Sequence, residues 1–309
     1  MSSEVSDSVI EVTGLSRSFK KNVALRDITL SVKPGQVFGL VGENGAGKTT
    51  LIRHLLGAYM AKTGTVRVFG LDPVANPVSV LARIGYLSED RDLPLWMKVR
   101  ELMAYTQAFY PDWDPTYAED LRNRFGLPLD AKIKQLSRGE KAKAGLLMAL
   151  AHRPELLLLD EPSSGLDPVA RKDILGEVIR SVAEEGRTVI FSSHLLDEVE
   201  RVSDHIALIH DGVVALDMPM DGLKDSHHRI VVRFSEGRAS FPDMVGLLHA
   251  EGSDKEWRIL CTGSREDVHG LLQEMGGQLI ETMVPTLDEI FLARVKGIQL
   301  NGAGAHHES

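Results

Sequence analysis

Nine residues, Gly42-Glu43-Asn44-Gly45-Ala46-Gly47-Lys48-Thr49-Thr50, constrain this chain more than any others. Glycine, four residues, then Gly-Lys-Thr is a spacing that lets backbone N–H groups turn inward around an anion. The flanks agree with that reading. Val37-Phe38-Gly39-Leu40-Val41 is an apolar run set off by Pro34-Gly35, and reads as a buried strand. Thr50 to Leu56 reads as a helix ending at Gly57, with its positive dipole end aimed at the same anion. The pattern predicts a phosphate cradle in which Lys48 reaches the β- and γ-phosphates and the Thr49 hydroxyl ligates Mg²⁺. The bland alternative is a glycine-rich turn that binds nothing.

With 309 residues, two domains are expected. A hydrophobic content of 43% is enough for an ordinary core. The net charge of −9 argues against a nucleic-acid footprint and against a polybasic membrane surface. One cysteine, Cys261, excludes an internal disulfide and a cysteine zinc cluster, and reads as a small semi-buried apolar residue. No run reaches the roughly 20 apolar residues that span a bilayer. A soluble, intracellular protein is expected, its polar residues 1–8 and its small polar tail 297–309 disordered.

Along the chain, Val9–Val12 and Ala24–Val32 read as strands of a half-exposed antiparallel sheet. Between them Phe19 is either a platform for a purine or an ordinary strand aromatic. Gly64–Gly70 and Ile84–Leu87 are short strands, the second leading into the acidic Glu89-Asp90-Arg91-Asp92. A helical segment of about 92–153 follows, with Asp114-Pro115 opening one helix and Gly126 closing it. Ser137 and Glu140 form a capping box for a long helix to Arg153, which leaves Gly139 unexplained.

Leu156-Leu157-Leu158-Leu159-Asp160-Glu161 is the pattern of a strand buried on both faces, with acids at the end where α/β sheets bind ligands. Asp160 is expected near Mg²⁺. Asp167-Pro168 opens a helix that buries Leu175, Val178, Ile179 and Val182 and ends at Gly186. Thr188–His194 is another buried strand ending in a histidine. Asp211-Gly212 turns a hairpin that closes the first domain near residue 224. The expected domains are 9–224 and 225–296. His227 and His228 are assigned to a linker, then a small α+β domain follows: strand 229–234, a short helix near 244–249, strand 257–262, helix 266–275, strand 278–284, helix 286–295. His306 and His307 read as part of a solvated tail.

In this order the motifs resemble the nucleotide-binding subunit of an ATP-binding cassette (ABC) transporter of the bacterial exporter type, over about residues 9–224. Gly42 to Thr50 is similar to the Walker A loop, and Leu156 to Glu161 to Walker B with its catalytic glutamate. Leu136-Ser137-Arg138-Gly139-Glu140 resembles the Leu-Ser-Gly-Gly-Gln signature, Ser164–Asp167 the D-loop, and His194 the switch histidine. Val284–Leu292 is similar to the C-terminal extension of many exporter ATPases. The resemblance implies a P-loop NTPase fold: a RecA-like core sheet, an antiparallel β subdomain and an inserted helical subdomain, with the small α+β domain appended.

The resemblance also implies roles. Phe19 stacks on adenine, while Gly42, Glu43, Asn44, Gly45, Ala46, Gly47, Lys48, Thr49 and Thr50 hold the phosphates. Thr49 and Asp160 hold Mg²⁺, Glu161 polarises water, and His194 contacts the γ-phosphate. Two cassettes, expected to be identical, clamp ATP between them, so that Ser137, Arg138, Gly139 and Glu140 of one complete the other's site. A separate membrane permease receives the motion on the cytoplasmic face, and no nucleic acid is a partner. Two positions depart from the family. Arg138 replaces a glycine, which causes no strain at helical angles; facing a triphosphate would offset its unfavourable place near the helix's positive end. Glu89 replaces a glutamine, and is expected in the Mg²⁺ shell and in contact with the permease. The competing readings are a cytosolic cassette ATPase acting on ribosomes or DNA, and a cassette that binds ATP without turnover. A single cassette, no long heptad insertion, and intact Lys48, Asp160, Glu161 and His194 argue against them.

Overall fold

The computed structural model describes residues 8–20, 22–183 and 185–294. The expectations for residues 1–7 and for the tail, including His306 and His307, lie outside them. The chain divides into two compact units, Met1–Asp217 and Met218–Ser309. The division comes earlier than the expected 224, because the helix at Met220–Ser226 belongs to the second unit.

The first unit opens with β1 (Ile10–Phe19) and β2 (Asn22–Val32), followed by β3 (Val37–Val41), α1 (Lys48–Leu55), β4 (Thr63–Val68), α2 (Pro77–Leu81) and β5 (Ile84–Leu87). A helical lobe holds α3 (Val99–Gln107), α4 (Pro115–Arg124), a 3₁₀ turn at Ile133–Gln135 and α5 (Arg138–Leu150). Then come β6 (Leu156–Asp160), α6 (Pro168–Ala183), β7 (Thr188–Ser193), α7 (Leu196–Val202), β8 (His205–His210) and β9 (Val213–Pro219).

Six strands form one sheet in the order β5-β6-β7-β3-β8-β9, and its first five strands run parallel. Every residue of β3, β6 and β7 is buried, as expected for strands covered on both faces. A second, antiparallel sheet has the order β2-β1-β4. One apolar core joins the two, with Ile10, Leu25, Ile28, Phe38, Leu51, Leu158 and Ile190 all packed into it. The parallel sheet thereby brings the C-terminal ends of β3, β6 and β7 side by side, and the loops leaving them carry the motifs. Asp211 (φ 47°) and Gly212 (φ 77°) make the left-handed pair of a two-residue hairpin turn between β8 and β9.

In α6, Leu175 and Val178 are buried as expected, but Ile179 is 48% exposed. Ile174, fully buried, takes the inward position instead, so the apolar stripe is rotated relative to the expected one.

The second unit contains α8 (Met220–Ser226), β10 (His227–Arg238), β11 (Leu247–Thr262), α9 (Arg265–Glu274), β12 (Gly277–Met283) and a helix over 287–294, α10. The antiparallel sheet order is β11-β10-β12, and α9 packs on it. Ile230, Val232, Phe234, Trp257, Ile259 and Cys261 form the core with Val268 and Leu272 of α9. Three expectations are corrected. His227 and His228 are not in a linker but are buried at the start of β10, where His227 bonds the Leu223 carbonyl and His228 that of Gly263. Residues 244–249 form no helix; Leu247 onward is strand, paired by β10 through the Thr262 end of β11. Cys261 is fully buried rather than semi-buried.

Candidate functional site

The loop from β3 into α1 makes one wall of a cleft of about 370 Å³. Glu43, Asn44, Gly45 and Gly47 to Thr50 line it, together with Glu89 and Glu161. Gly47 is the N-cap of α1 with φ 115°, and a Cβ there would stand 2.5 Å from the Ala24 carbonyl oxygen. Only glycine meets both conditions. No side chain caps α1, so its first N–H groups remain free for an anionic ligand.

Lys48 is 5% exposed, and its ammonium donates to the carbonyls of Gly42 (2.6 Å) and Glu43 (3.3 Å). It also forms an ion pair with Glu161 Oε1 at 2.9 Å. The other carboxylate oxygen of Glu161 lies 2.7 Å from His194 Nδ1. Lys48 at the start of α1, Glu161 just beyond β6 and His194 just beyond β7 thus form one continuous chain.

Glu161 has φ 47°, a left-handed conformation that costs a non-glycine residue about 1 kcal/mol or more. Ser192 holds it there. The Glu161 N–H reaches the Ser192 carbonyl (3.2 Å) and hydroxyl (3.0 Å), and the same hydroxyl donates to Asp160 Oδ1 at 2.7 Å. Sequence reading missed Ser192; a polar residue in the otherwise apolar run Val189-Ile190-Phe191 was the available signal.

Asp160 is 1% exposed, and its second oxygen, Oδ2, is buried without a hydrogen-bond partner. A buried carboxylate oxygen with a free lone pair suits a hard cation. Among the described residues no three acidic, histidine or cysteine side chains gather as a metal cage. A Mg²⁺ ion at a nucleotide site takes one or two protein oxygens and completes its shell with substrate phosphates and water. Asp160 Oδ2 and the Thr49 hydroxyl are the kind of oxygen donors such an ion takes, and Thr49 and the exposed Glu89 both line the cleft.

Other expected site residues lie apart from this cleft. Phe19 does not line it; the ring packs edge-on against Tyr59 at 5.5 Å, with the Arg17 guanidinium 4.7 Å from its centroid. Ser137 and Glu140 form the expected capping box at α5, the Glu140 carboxylate accepting from Ser137 N at 2.7 Å. Arg138 takes its place as the first helical residue, and its guanidinium lies over Gly165 of its own chain. Gly139, puzzling in the sequence, is explained by close approach: a Cβ would stand 2.6 Å from the Ala170 methyl at the start of α6. Arg91, which no motif singled out, donates to the carbonyls of Pro162 (3.1 Å) and Ser164 (2.9 Å) just beyond Glu161. Burial, then the nearby Arg138 charge, lower the Arg91 pKa, and Glu89 opposes them. Buried Glu198 of α7 accepts from the Ser163 hydroxyl in the same loop.

Known proteins are similar to this chain. Residues 25–164 match the family model for the ABC transporter domain. The ABC transporter ATP-binding protein YtrB of Bacillus subtilis is 30% identical over 94% of this chain and 99% of its own length. The bacitracin transport ATP-binding protein BcrA of Bacillus licheniformis is 34% identical over 72% of this chain and 73% of its own. A solved ATP-binding subunit of an ABC transporter superposes with a TM-score of 0.64 at 27% identity, covering 70% of this chain and 92% of that one. With a full-length relative at this identity and the P-loop fold in place, the chain belongs to the family of ABC transporter ATP-binding proteins.

Proposed function

We propose that this chain is the ATP-hydrolysing subunit of an ABC exporter, working as a pair of identical cassettes beneath a separate membrane permease. The observation that carries the reading is the chain Lys48–Glu161–His194 beside the glycine loop, its lysine and glutamate buried and its histidine open to solvent. Phosphoryl transfer to water needs positioning and charge stabilisation more than covalent help. The α1 N-terminus and Lys48 bind the β- and γ-phosphates. Thr49 and Asp160, with Glu89 at the cleft wall, would hold Mg²⁺, which would neutralise charge on the phosphates.

Glu161 accepts the proton of the attacking water as its oxygen bonds to the γ-phosphorus and the bond to the ADP oxygen breaks. A base in this position is worth about 10²–10⁴-fold. His194 fixes the glutamate's orientation through Oε2 and, exposed beside it, would contact the γ-phosphate. A triphosphate competes with Glu161 for Lys48, so binding loosens the base from its cation as substrate arrives. Ser137, Arg138, Gly139 and Glu140 lie outside their own cleft, which supports their serving the second copy. Phe19, 38% exposed, is left as the nucleobase platform.

Among the described residues no helix is long and apolar enough to cross a membrane. The proposed permease is a separate chain, with this one at its cytoplasmic face, as the relatives named ATP-binding proteins of transporters support. Leu95 (53% exposed), Trp96 (69%) and Phe109 (65%) give the helical lobe an apolar surface suited to such a partner. Export is favoured by the 284–292 segment, similar to the extension of many exporter ATPases, and by a relative named as a Nod factor export ATP-binding protein, 32% identical over 68% of this chain. The test is phosphate release by the purified chain with Mg²⁺ and ATP, alongside Glu161→Gln. Turnover by the parent, at least 100-fold less in the variant, with the variant eluting as an ATP-dependent dimer, is expected. No ATP hydrolysis by the parent, or near-normal turnover in the variant, overturns the reading.

A further inference from the structure

We infer that Arg91 is a positioning residue for Glu161, tying the segment that bears Glu89 to the loop that leaves the catalytic strand. The inference rests on the ATPase reading above. Arg91 is half-buried and left-handed (φ 49°), a conformation that an arginine adopts only when its surroundings hold it. The backbone around it is pinned: its N–H donates to Ser88 at 3.2 Å, and Leu93 donates back to it at 2.7 Å. From that position one guanidinium nitrogen, Nη2, bridges the carbonyls of Pro162 and Ser164.

Those carbonyls belong to the first residues after Glu161, whose own conformation is strained. Ser192 fixes Glu161 from the sheet side, and Glu198 holds the intervening Ser163 from α7. Arg91 is the tie from the direction of the helical lobe. Arg138 closes the same loop from above, its guanidinium filling the space over Gly165. A shift of the 88–93 segment, where Glu89 borders the nucleotide cleft, is thus passed to the catalytic carboxylate through two charge-assisted hydrogen bonds. Arg91 does not line the cleft, so its loss leaves nucleotide binding in place and misplaces the base.

The experiment compares the full-length parent with Arg91→Met, which keeps the stem and removes the donors, and Arg91→Lys, which restores one cationic donor. Steady-state ATPase gives kcat and KM, and a fluorescent ATP analogue gives Kd. A sub-ångström to 1 Å displacement of a catalytic group costs about 10–100-fold. Arg91→Met is expected to lower kcat by that factor, with KM and Kd within about threefold of the parent. Arg91→Lys should recover kcat to within about threefold. The inference is overturned if Arg91→Met turns over within twofold of the parent, if KM and Kd rise in step with the loss, or if lysine rescues nothing. Should the parent itself split no ATP, the ATPase reading fails first and this inference with it.

Discussion

The ion pair between Lys48 and Glu161 should be measurable as a coupling energy, and the triphosphate should weaken it. The partners sit 2.9 Å apart with side chains 5% and 4% exposed. At an effective dielectric of about 20, two unit charges at that separation attract by roughly 6 kcal/mol, which is a ceiling. Lys48 also has the Gly42 and Glu43 carbonyls, and Glu161 has His194, so relaxation in each single variant recovers part of it. A coupling of about 2–4 kcal/mol remains. Lys48→Met and Glu161→Gln should each destabilise the first unit, because each leaves a buried charge with incomplete compensation. The double variant should be more stable than the sum of the two predicts, by that coupling. Urea unfolding of the four proteins supplies the cycle. In saturating Mg²⁺-ATP the Glu161→Gln penalty should shrink, since the phosphates become the counter-anion to Lys48. A coupling below about 0.5 kcal/mol, or a penalty that nucleotide leaves untouched, would refute the reasoning.

The second unit should be acid-sensitive through His227. Burial first, with help from Arg294 and His228, pushes this imidazole down to about 4, against an opposing bond to Leu223. Since the folded value lies below the unfolded 6.5, the unfolded chain binds more protons between them. The stability is thus fully present above pH 6.5 and falls by about 2 kcal/mol at pH 5. His227→Gln should flatten the dependence of the second transition on pH from 7.5 to 5, and an unchanged slope would remove His227 as its source. Burial likewise pushes the Cys261 thiol up to about 11. It should react with a thiol reagent at pH 8 only after denaturation; prompt labelling of the native chain would contradict its place in the core.

The readable parts of the sequence were those in which a local pattern and the final environment agree. The cradle is encoded by backbone requirements at a few consecutive residues, so Gly42 to Thr50 could be located without knowing what packs around it. The capping box at Ser137 and the Asp211-Gly212 hairpin are equally local. Gly139 is the opposite case. Its reason is the Ala170 methyl, thirty-one positions on by numbering, and nothing in its own segment reports that contact. His227 and His228 looked like linker because they are polar and sit beside Asp225-Ser226, yet backbone carbonyls satisfy both rings in the interior. The misread helix at 244–249 precedes a stretch of β11, Glu251 to Glu256, that is exposed at every residue. With no buried face, that stretch carries no alternation to announce a strand.

Glu161, the proposed catalytic base, shows why motif and geometry carry different information. A left-handed position after a buried strand would be filled at least cost by glycine or asparagine. Neither side chain can pair with Lys48 as a carboxylate and bind His194 at the same time. The chain therefore accepts the strained conformation of Glu161 and offsets it with bonds from elements remote in sequence: Ser192 on β7, and, through the residues that follow, Arg91 and Glu198. The two acids at the end of β6 identify the kind of chemistry. Where Glu161 points is decided by side chains outside that motif, which makes its position adjustable by whatever moves them. For a cassette whose turnover must answer to a membrane partner, an adjustable base held from the lobe side is more useful than one fixed entirely by its own strand.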